Sequence, residues 1–275
     1  MQKTDIEYLD MTWNPMTGCN HWKYGGPCGG GGRDFRCWAM GIANRFKKNY
    51  PKGFEPDLRL DRIMEPTLYS PPLRIGVSFM GDLFCDWGKE PSEAIVGTLA
   101  EEARMLIKST ISDCPQHTFL FLTKAPWNLH KWSPWPANAW VGATATSYRA
   151  FVHACGDLGA LHHRDGAMTY ISFEPLLSWD SNPGFTLPWL NGNIGWVIIG
   201  AARGKMPKLE WVKNIVNAAD EADIPVFLKD NLKPLFANIE EPAWMVGWKN
   251  VPGEMRQEYP RVGGDGDQPK ANSRA

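Results

Sequence analysis

Short apolar segments alternate with amphipathic segments between about residues 73 and 232, and this alternation limits the fold more than any other feature of the chain. The apolar segments are continuously hydrophobic, as in FLFLT and WVIIGA, whereas strands of a half-exposed sheet alternate apolar and polar residues. The intervening segments place apolar residues three and four positions apart, which is typical of helices that cover a sheet. The pattern therefore predicts an α/β fold with mainly parallel strands and right-handed crossovers.

The predicted elements follow one another regularly along the chain. A first helix begins after Cys37 and places Trp38, Ile42 and Phe46 on one face. No strand is followed by the G-x-G-x-x-G turn of dinucleotide-binding folds, so we predict a partial (β/α)6 TIM-like barrel with a glycine-rich N-terminal cysteine loop. Strands are predicted at 73–84, 117–126, 139–147, 168–177, 194–203 and 224–232, and further helices at 91–110, 148–161 and 208–223.

The composition is that of one large domain. The 275 residues are 43% hydrophobic, which is enough for a substantial core, and we assign residues 1–250 to a single barrel domain. Residues 251–275 are polar and rich in Gly and Pro, and we expect a flexible tail there. The formal net charge of -1 gives no overall attraction to nucleic acids or acidic membranes, although it allows a local basic patch. No apolar run reaches 18 residues and no signal-peptide core is present, so we expect a cytoplasmic protein with no membrane partner.

Half of the six cysteines lie in one loop rich in glycine and aromatic residues: Cys19, Cys28 and Cys37. Disulfides are disfavoured in the cytosol, so clustered thiols indicate metal ligation or catalysis. The C-x8-C-x8-C spacing lacks the C-x2-C pairs of many zinc sites. Zinc with His21 as a fourth ligand, an iron–sulfur cluster with one open iron, and unmetallated thiols all fit this loop. The remaining cysteines are predicted to be buried small apolar side chains, with the first of them nearest the strand ends: Cys85, Cys114 and Cys155.

Each predicted strand ends in polar residues. In parallel α/β folds the carboxyl ends of the strands meet at one edge, and the chemistry lies there. Glu174 ends a buried strand before Pro175, which fixes its direction, and its carboxylate needs a cation or a donor nearby. Lys124 and Lys229 end other strands, so we take Lys124, Glu174 and Lys229 as candidate catalytic residues. The other polar strand ends are Ser78, Asp82, Thr123, Thr144, Thr146, Ser147, Ser172, Arg203, Lys205 and Asp230.

Seven motifs occur in one order along the chain: TWNPMTGC, CWA, GDLF, LTKAP, VGATATS, SFEPLL and WVIIGA. With this ordered series the chain resembles an uncharacterised family of bacterial and phage proteins, the three-cysteine-motif phage proteins. That family is similar to the radical S-adenosylmethionine (SAM) superfamily, with the spore photoproduct lyases among its nearer relatives. The resemblance covers roughly residues 8–235 and implies a partial (β/α)6 barrel.

The resemblance also implies a cofactor and a reaction. Cys19, Cys28 and Cys37 match the cysteines that hold a 4Fe–4S cluster, whose open iron chelates the amino and carboxylate groups of SAM. An electron from the cluster cleaves SAM to a 5′-deoxyadenosyl radical, which abstracts hydrogen from a substrate. An electron donor such as flavodoxin or ferredoxin is implied as well. This chain departs from the superfamily in the last interval, where eight residues rather than two separate Cys28 from Cys37.

The resemblance further implies SAM contacts at three places along the carboxyl edge of the sheet. The amino group would be received at the end of the strand predicted at 73–84, the ribose or carboxylate at the end of 139–147, and the ribose and adenine at the ends of 168–177 and 194–203. The corresponding residues are Met80, Gly81 and Asp82; Thr146 and Ser147; and Glu174, Gly200 and Ala201.

The prediction of a substrate rests on charged and aromatic residues. Positive charge at the carboxyl edge of the predicted barrel suits an anionic substrate such as a nucleotide or a nucleic acid. Aromatic rings near that charge could stack on a base. Two alternatives stay open: an interaction protein with structural zinc in the cysteine loop, and a metal-independent barrel hydrolase or lyase with Glu174 and Lys124 as acid and base. The basic candidates are Lys124, Arg203, Lys205 and Lys229, and the stacking candidates are Trp127, Trp132 and Trp135.

Overall fold

A computed structural model describes residues 1–21, 37–85, 93–180, 183–202, 204–236 and 255–261 of the chain. The strands are β1 (Gln2–Lys3), β2 (Met11–Trp13), β3 (Met16–Thr17), β4 (Asp57–Leu58), β5 (Arg74–Val77), β6 (Thr118–Thr123), β7 (Ala139–Thr144), β8 (Met168–Phe173), β9 (Trp196–Ile199) and β10 (Val226–Leu228). The α-helices are α1 (Trp38–Arg45), α2 (Glu93–Ser112), α3 (Tyr148–Asp165), α4 (Pro183–Leu190), α5 (Leu209–Glu221) and α6 (Lys233–Phe236). No helix within these ranges has the length and apolar character needed to cross a bilayer.

The main sheet follows the order of the chain, β1-β2-β5-β6-β7-β8-β9-β10. β1 pairs antiparallel with β2, and every later pairing in this sheet is parallel. β3 and β4 form a separate antiparallel pair. The predicted α/β class with mainly parallel strands is therefore confirmed. Within the described part of the chain β1 and β10 are the edges of the sheet, and no pairing between them closes a barrel.

The strands are shorter than predicted, because their polar carboxyl ends turn out of the ladder. β5 ends at Val77, and Ser78 follows with a φ of 56°. This left-handed conformation is uncommon for a serine and persists only where the surroundings hold it. β9 likewise ends at Ile199, before the predicted residues Gly200 and Ala201. Several of the polar residues predicted at the strand ends, such as Ser78, Asp82 and Glu174, therefore lie in loops along the carboxyl edge, whereas Thr123, Thr144 and Ser172 stay within the last residues of β6, β7 and β8.

The helix after the cysteine loop, α1, buries a different face from the predicted one. Trp38 and Phe46 are 56% and 49% exposed, whereas Ala39 and Ala43 are buried. The two alanines pack in a small cluster with Cys19, where the helix approaches the cysteine loop closely. The predicted apolar face is therefore wrong for Trp38 and Phe46, because close packing selects the small residues instead.

The two faces of the main sheet are covered differently. Alternate residues of a strand point to opposite faces, so Phe119 and Phe121 of β6 pack beneath the helices while Leu120 packs on the other side. We call that other side the inner face. It carries an aromatic cluster made of Tyr8, Trp140, Tyr170, Trp196 and Phe227.

Residues 255–261 extend the sheet at its β10 edge, whereas the sequence predicts a flexible tail from residue 251. The N–H of Leu228 donates to the carbonyl of Arg256 at 2.7 Å, and the N–H of Glu258 donates to the carbonyl of Val226 at 3.0 Å. The ring of Tyr259 packs against Trp196, with centroids 5.5 Å apart. The described part of the tail thus covers apolar surface of the inner face, a long-range contact that its polar composition does not reveal.

Substitution of Gly142 by alanine tests how tightly the inner face is packed. A Cβ there would overlap the ring of Tyr170. Tyr170 is fully buried beside Trp196, so its ring has no room to move away. We expect Gly142→Ala to lower the free energy of unfolding by about 1–3 kcal/mol, as measured by urea denaturation.

Gly156→Ala is the matched control, because Gly156 lies within α3 and has open space at its Cβ position. Alanine is the better helix former, so this variant should gain roughly 0.5–1 kcal/mol. A Gly142→Ala protein as stable as the wild type would contradict the packing described for Tyr170.

Candidate functional site

The start of the cysteine loop is fixed to the chain that follows β5. The N–H of Gly18 donates to the carbonyl of Met80 at 3.0 Å, and the N–H of Asp82 donates to the carbonyl of Gly18 at 3.3 Å. Gly18 has a φ of 85°, and a Cβ on Gly81 would overlap the Gly18 carbonyl oxygen. Two glycines are therefore required where the two segments cross. We call this contact the Gly18–Gly81 bridge.

The TWNP segment strengthens the same junction. The side-chain oxygen of Asn14 accepts a hydrogen bond from the N–H of Met80 at 2.9 Å. The N–H of Cys19 donates to the carbonyl of Phe54 at 3.0 Å, so the first cysteine is held on both sides. Asn14 is buried and was not among the predicted site residues, although the motif that contains it was.

Asp82 organises the carboxyl edge between β5 and β6. Its Oδ1 accepts from the N–H of Phe84 at 3.0 Å and from the hydroxyl of Thr123 at 2.8 Å. Its Oδ2 accepts from the N–H of Lys124 at 2.9 Å and lies 2.9 Å from Nε2 of His21. Burial opposes the charged form, but these donors outweigh it and hold the pKa of Asp82 below its ordinary value.

These bonds give Asp82 a positioning role. Its two oxygens accept four hydrogen bonds from the described residues, and its predicted contact with the amino group of SAM stays a prediction. Nε2 of His21 is engaged by Asp82, and the N–H of His21 donates to Sγ of Cys19 at 3.4 Å. The main-chain N–H of His21 therefore stabilises the Cys19 sulfur, while its Nε2 atom is taken up by Asp82 and is not available to a zinc ion.

Three cysteines take part in an apolar cluster beside this junction. The buried residues Cys19 and Cys85 pack with Met80, and Cys37 packs against them from the N-terminal end of α1. A hydrogen bond with Cys85, together with burial, raises the pKa of the Cys19 thiol. We call this set the thiol cluster, and its members are Cys19, Ala39, Ala43, Phe54, Met80 and Cys85, with Cys37 at its border.

The thiol cluster fits a metal centre in the type of donor that it offers. Thiolate sulfur is the preferred donor of iron–sulfur clusters and of structural zinc. Cys28 lies outside the described residues, and among those described no three His, Cys, Asp or Glu side chains are already arranged around one point. The predicted burial of the other cysteines is confirmed, since Cys85, Cys114 and Cys155 are all 3% exposed or less.

A second group of predicted residues meets at the ends of β8, β9 and β10. The ammonium of Lys229 lies 2.6 Å from Oε1 of Glu174 and 3.3 Å from Oε2 of Glu7. Burial disfavours the charged amine, but the two carboxylates outweigh it and raise the pKa of Lys229. A Cβ on Gly200 would lie about 3.0 Å from the Lys229 side chain and 3.1 Å from that of Glu174, so glycine leaves room for the ion pair.

Two residues that the sequence analysis missed complete this group. Asn231 accepts from the N–H of Ala201 and donates to its carbonyl, both at 3.0 Å, which fixes the chain after β9. Glu7 accepts from the N–H of Asp230 at 3.0 Å, across 223 residues of sequence. Asn231 lies in a polar run after the last strand and could have been found there, whereas nothing in the sequence around Glu7 points to Lys229.

Thr146 and Ser147 both hold the turn after β7. The hydroxyl of Ser147 accepts from the N–H of Ala150 at 3.3 Å and caps α3. The carbonyl of Thr146 accepts from the N–H groups of Leu177 and Ser178, at 2.9 and 3.2 Å. These contacts join the turn to the chain after β8, and the predicted SAM contacts of Thr146 and Ser147 stay predictions.

Buried hydroxyls without partners lie between the two groups. Ser78, Thr144 and Ser172 end β5, β7 and β8, and each hydroxyl is buried with no hydrogen bond among the described residues. Thr144 and Ser172 are paired in register, so both point to the inner face, as Trp140 and Tyr170 do on the same strands. An unpaired buried hydroxyl costs about 1–3 kcal/mol, which a polar ligand would recover.

Only some of the basic and aromatic residues predicted to face a substrate are placed to do so in the described part of the chain. Lys229 is neutralised by two carboxylates, Lys205 is exposed, and Arg203 lies outside the described residues. Lys124 makes no ion pair within the described ranges. Trp132 and Trp135 are stacked 5.9 Å apart in the core against Phe84, so their predicted role in base stacking is wrong, whereas Trp127 is 49% exposed.

Comparison with known proteins identifies a family but not an activity. A family model described as a protein of unknown function (DUF5131) matches residues 3–234. No curated protein and no solved structure matches the chain.

Replacing Asp82 tests its organising role. Asp82→Asn keeps the shape but turns an amide N–H₂ toward groups that donate, so at least one buried donor loses its acceptor. We expect the free energy of unfolding to fall by about 2–3 kcal/mol at neutral pH. Urea denaturation measures this loss.

The pH dependence of that loss follows from the lowered pKa of Asp82. The stabilisation is complete above the unfolded-state pKa of about 3.9 and disappears as pH falls through the lower folded-state value. The difference between wild type and Asp82→Asn should therefore shrink below about pH 4. Asp61→Asn is the control, since the Asp61 side chain is 67% exposed, and it should leave stability unchanged at every pH. A constant Asp82→Asn difference across this range would contradict the assignment.

Proposed function

The chain belongs to the DUF5131 family of proteins of unknown function, and we propose that it is a radical SAM-like iron–sulfur enzyme built on a partial (β/α)6 barrel. The Gly18–Gly81 bridge carries the proposal, because it fixes the first cysteine of the loop to the carboxyl edge of the parallel sheet. The unpartnered hydroxyls of Ser78, Thr144 and Ser172 lie along the same edge. Cleavage of SAM by an iron–sulfur cluster requires sulfur donors for the cluster. It also requires a polar pocket for SAM next to them.

Coverage of the inner face supports the barrel. In the described residues the helices pack against one face of the main sheet, whereas a doubly wound sheet has helices on both. The inner face is covered instead by the segments around Tyr8 and Tyr259. Tyr8 contacts Trp196 and Phe227 with ring centroids 5.7 Å apart in both cases, while the neighbouring Leu9 lies against Gly76 of β5. One short segment therefore touches both halves of the sheet, as it would inside a strongly curved one.

Cys19, Cys28 and Cys37 are the residues that would hold the cluster. When bound, a 4Fe–4S cluster supplies the electron that cleaves the sulfonium of SAM, and a donor such as flavodoxin or ferredoxin would restore that electron. The chain contributes a dry apolar surround for the sulfurs, made by Ala39, Ala43 and Phe54. It also contributes the N–H of His21, which donates to Cys19. Hydrogen bonds to ligand sulfurs and low solvent exposure both tune such a centre.

The polar residues of the inner face would bind SAM next to the cluster. The hydroxyls of Thr144 and Ser172 have free donor and acceptor capacity for the ribose or the carboxylate. Glu174 is held at the end of β8 by Lys229, so one of its carboxylate oxygens stays in a fixed direction for the ribose. Lys229 acts as a positioning residue here, because its raised pKa keeps it protonated and unsuited to act as a base.

Lys124 and Trp127 are the groups that would meet an anionic substrate. The main chain of Lys124 is fixed by Asp82, and its side chain makes no ion pair with the described residues. Trp127 is half exposed in the following 3-10 helix at Pro126–Trp132. A lysine followed three residues later in the chain by an exposed indole suits a nucleotide or a single-stranded nucleic acid.

Anaerobic reconstitution tests the metal centre. We expect the purified chain, treated with iron and sulfide, to become brown and to retain both elements after desalting. Cys19→Ala should lose them because its sulfur is the one fixed by the Gly18–Gly81 bridge. Cys155→Ala is the control, since it removes a fully buried thiol from the main core. A colourless wild type that retains zinc instead would contradict the proposal and favour a structural zinc site.

Ser172→Ala tests the ligand site independently of the cluster. Removing a buried hydroxyl without a partner should leave the stability unchanged or slightly higher, while SAM binding measured by calorimetry weakens by about 5–10-fold. Thr169→Val on the opposite face of β8 is the matched control, because the Thr169 hydroxyl donates to the Asn193 carbonyl at 2.6 Å. That variant should lose stability and keep its affinity for SAM. Equal affinity of Ser172→Ala and wild type would contradict the placement of SAM on the inner face.

A further inference from the structure

The ion pair at the ends of β8 to β10 contains one carboxylate more than it needs, and we propose that this carboxylate, Glu7, makes the site specific for the cationic sulfonium of SAM. The inference rests on the proposed function in that SAM binds beside Glu174. It concerns a residue between β1 and β2, outside the seven motifs of the sequence. The ligand that Glu7 would select against is S-adenosylhomocysteine, the neutral thioether that remains when SAM loses its methyl group.

Glu7 is held at the ion pair by both of its carboxylate oxygens. Oε1 accepts a hydrogen bond from the N–H of Asp230 at 3.0 Å, and Oε2 lies 3.3 Å from the ammonium of Lys229. The next residue, Tyr8, packs against Trp196 in the aromatic cluster of the inner face, which anchors the main chain beside Glu7. The carboxylate of Glu7 is therefore a fixed part of this group.

The charges of the group do not cancel. The ammonium of Lys229 is shared by two carboxylates, at 2.6 Å from Glu174 and 3.3 Å from Glu7. The neighbouring carboxylate of Asp230 has a cation of its own, because Lys233 lies 3.1 Å away. The three side chains of Glu7, Glu174 and Lys229 therefore carry one negative charge in excess, and Glu7 is the source of that excess.

The excess charge is unfavourable where it lies, because the three side chains are largely withdrawn from water. Those of Lys229, Glu7 and Glu174 are 11%, 19% and 25% exposed. A carboxylate that leaves water without a full counter-charge destabilises the protein. Lys229 alone would be enough to hold Glu174 in place, so the second carboxylate indicates a positive charge that arrives with a ligand.

The adjacent ligand site is where that positive charge would arrive. Ser172, whose buried hydroxyl has no hydrogen bond among the described residues, precedes Glu174 by two positions at the end of β8. In SAM a single methylene joins the sulfonium to the ribose ring, so a ribose at Glu174 brings the positive charge close to the group. S-adenosylhomocysteine has the same ribose, adenine and amino-acid portion but an uncharged sulfur. Coulombic attraction to the excess charge therefore favours SAM over S-adenosylhomocysteine.

The test compares the dissociation constants of SAM and S-adenosylhomocysteine, measured by calorimetry on the reconstituted protein. We expect Glu7→Gln to reduce the preference for SAM on the order of fivefold, the effect of one unit charge acting over roughly 10 Å at an edge partly open to water. Glutamine keeps the shape and an oxygen that can accept the N–H of Asp230. Glu210→Gln is the matched control, because it removes the same charge from a side chain of α5 that is 67% exposed, and it should leave the preference unchanged.

Glu7→Asp separates the charge from the packing of the side chain. The shorter carboxylate should weaken the binding of both ligands to a similar extent and retain the wild-type preference for SAM. An equal loss of affinity for both ligands in Glu7→Gln, with the preference unchanged, would overturn this inference and leave the proposed function standing. A wild type that binds the two ligands equally would do the same. A wild type that binds neither ligand would overturn the proposed function, and this inference with it.

Discussion

Two backbone hydrogen bonds between Gly18 and the chain from Met80 to Asp82 hold the site together. They fix the first cysteine of the loop, and they also place the carboxylate of Asp82 where it collects donors from His21, Thr123 and Lys124. The ends of β2, β5 and β6 therefore behave as one unit. Because the crossing is a backbone contact that excludes any Cβ on Gly81, it depends on glycine and not on a side chain that could be exchanged. This explains why the TGC and GD segments are coupled although more than 60 residues separate them.

The inner face changes from apolar to polar along the strands, and this change is the basis for the proposed placement of SAM. At the amino end of the strands the face is filled by aromatic rings such as Trp140, Tyr170 and Trp196. One pleat further on are the hydroxyls of Thr144 and Ser172, and beyond them is the ion pair of Glu174 with Lys229. In the described part of the chain the aromatic layer fills the inner face below these hydroxyls with apolar contacts, so the polar groups of this face lie toward the carboxyl edge. Hydroxyls buried without partners directly above that layer are an energetic cost that the fold alone does not explain.

Local patterns in the sequence were enough to predict the six strands β5 to β10, because buried parallel strands are continuously apolar and their polar ends are conspicuous, whereas the short strands β1 to β4 were not given bounds. The same patterns located Glu174, Lys124 and Asp82 at the correct edge. The local patterns did not predict features that depend on residues far away in the sequence. The face of α1 that is buried is set by the close approach of Ala39 and Ala43 to the cysteine loop, which outweighs the larger apolar side chains of Trp38 and Phe46. Glu7 accepts a hydrogen bond from the chain just after β10, and the segment 255–261 pairs with β10 itself. These contacts join opposite ends of the chain, and no local periodicity in the sequence indicates them.

The charges along the carboxyl edge bear on what it can bind. Around Lys229 two carboxylates face one ammonium, so this part of the edge carries a net negative charge, contrary to a uniformly basic mouth. Positive charge on the other side of the unpartnered hydroxyls comes from Lys124, which follows β6. A ligand that spans the edge therefore meets negative charge near β8 to β10 and positive charge near β6. SAM carries a sulfonium and an amino group as well as a carboxylate, so a site of divided sign suits it better than a wholly basic one. A phosphate-bearing substrate would be restricted to the Lys124 side.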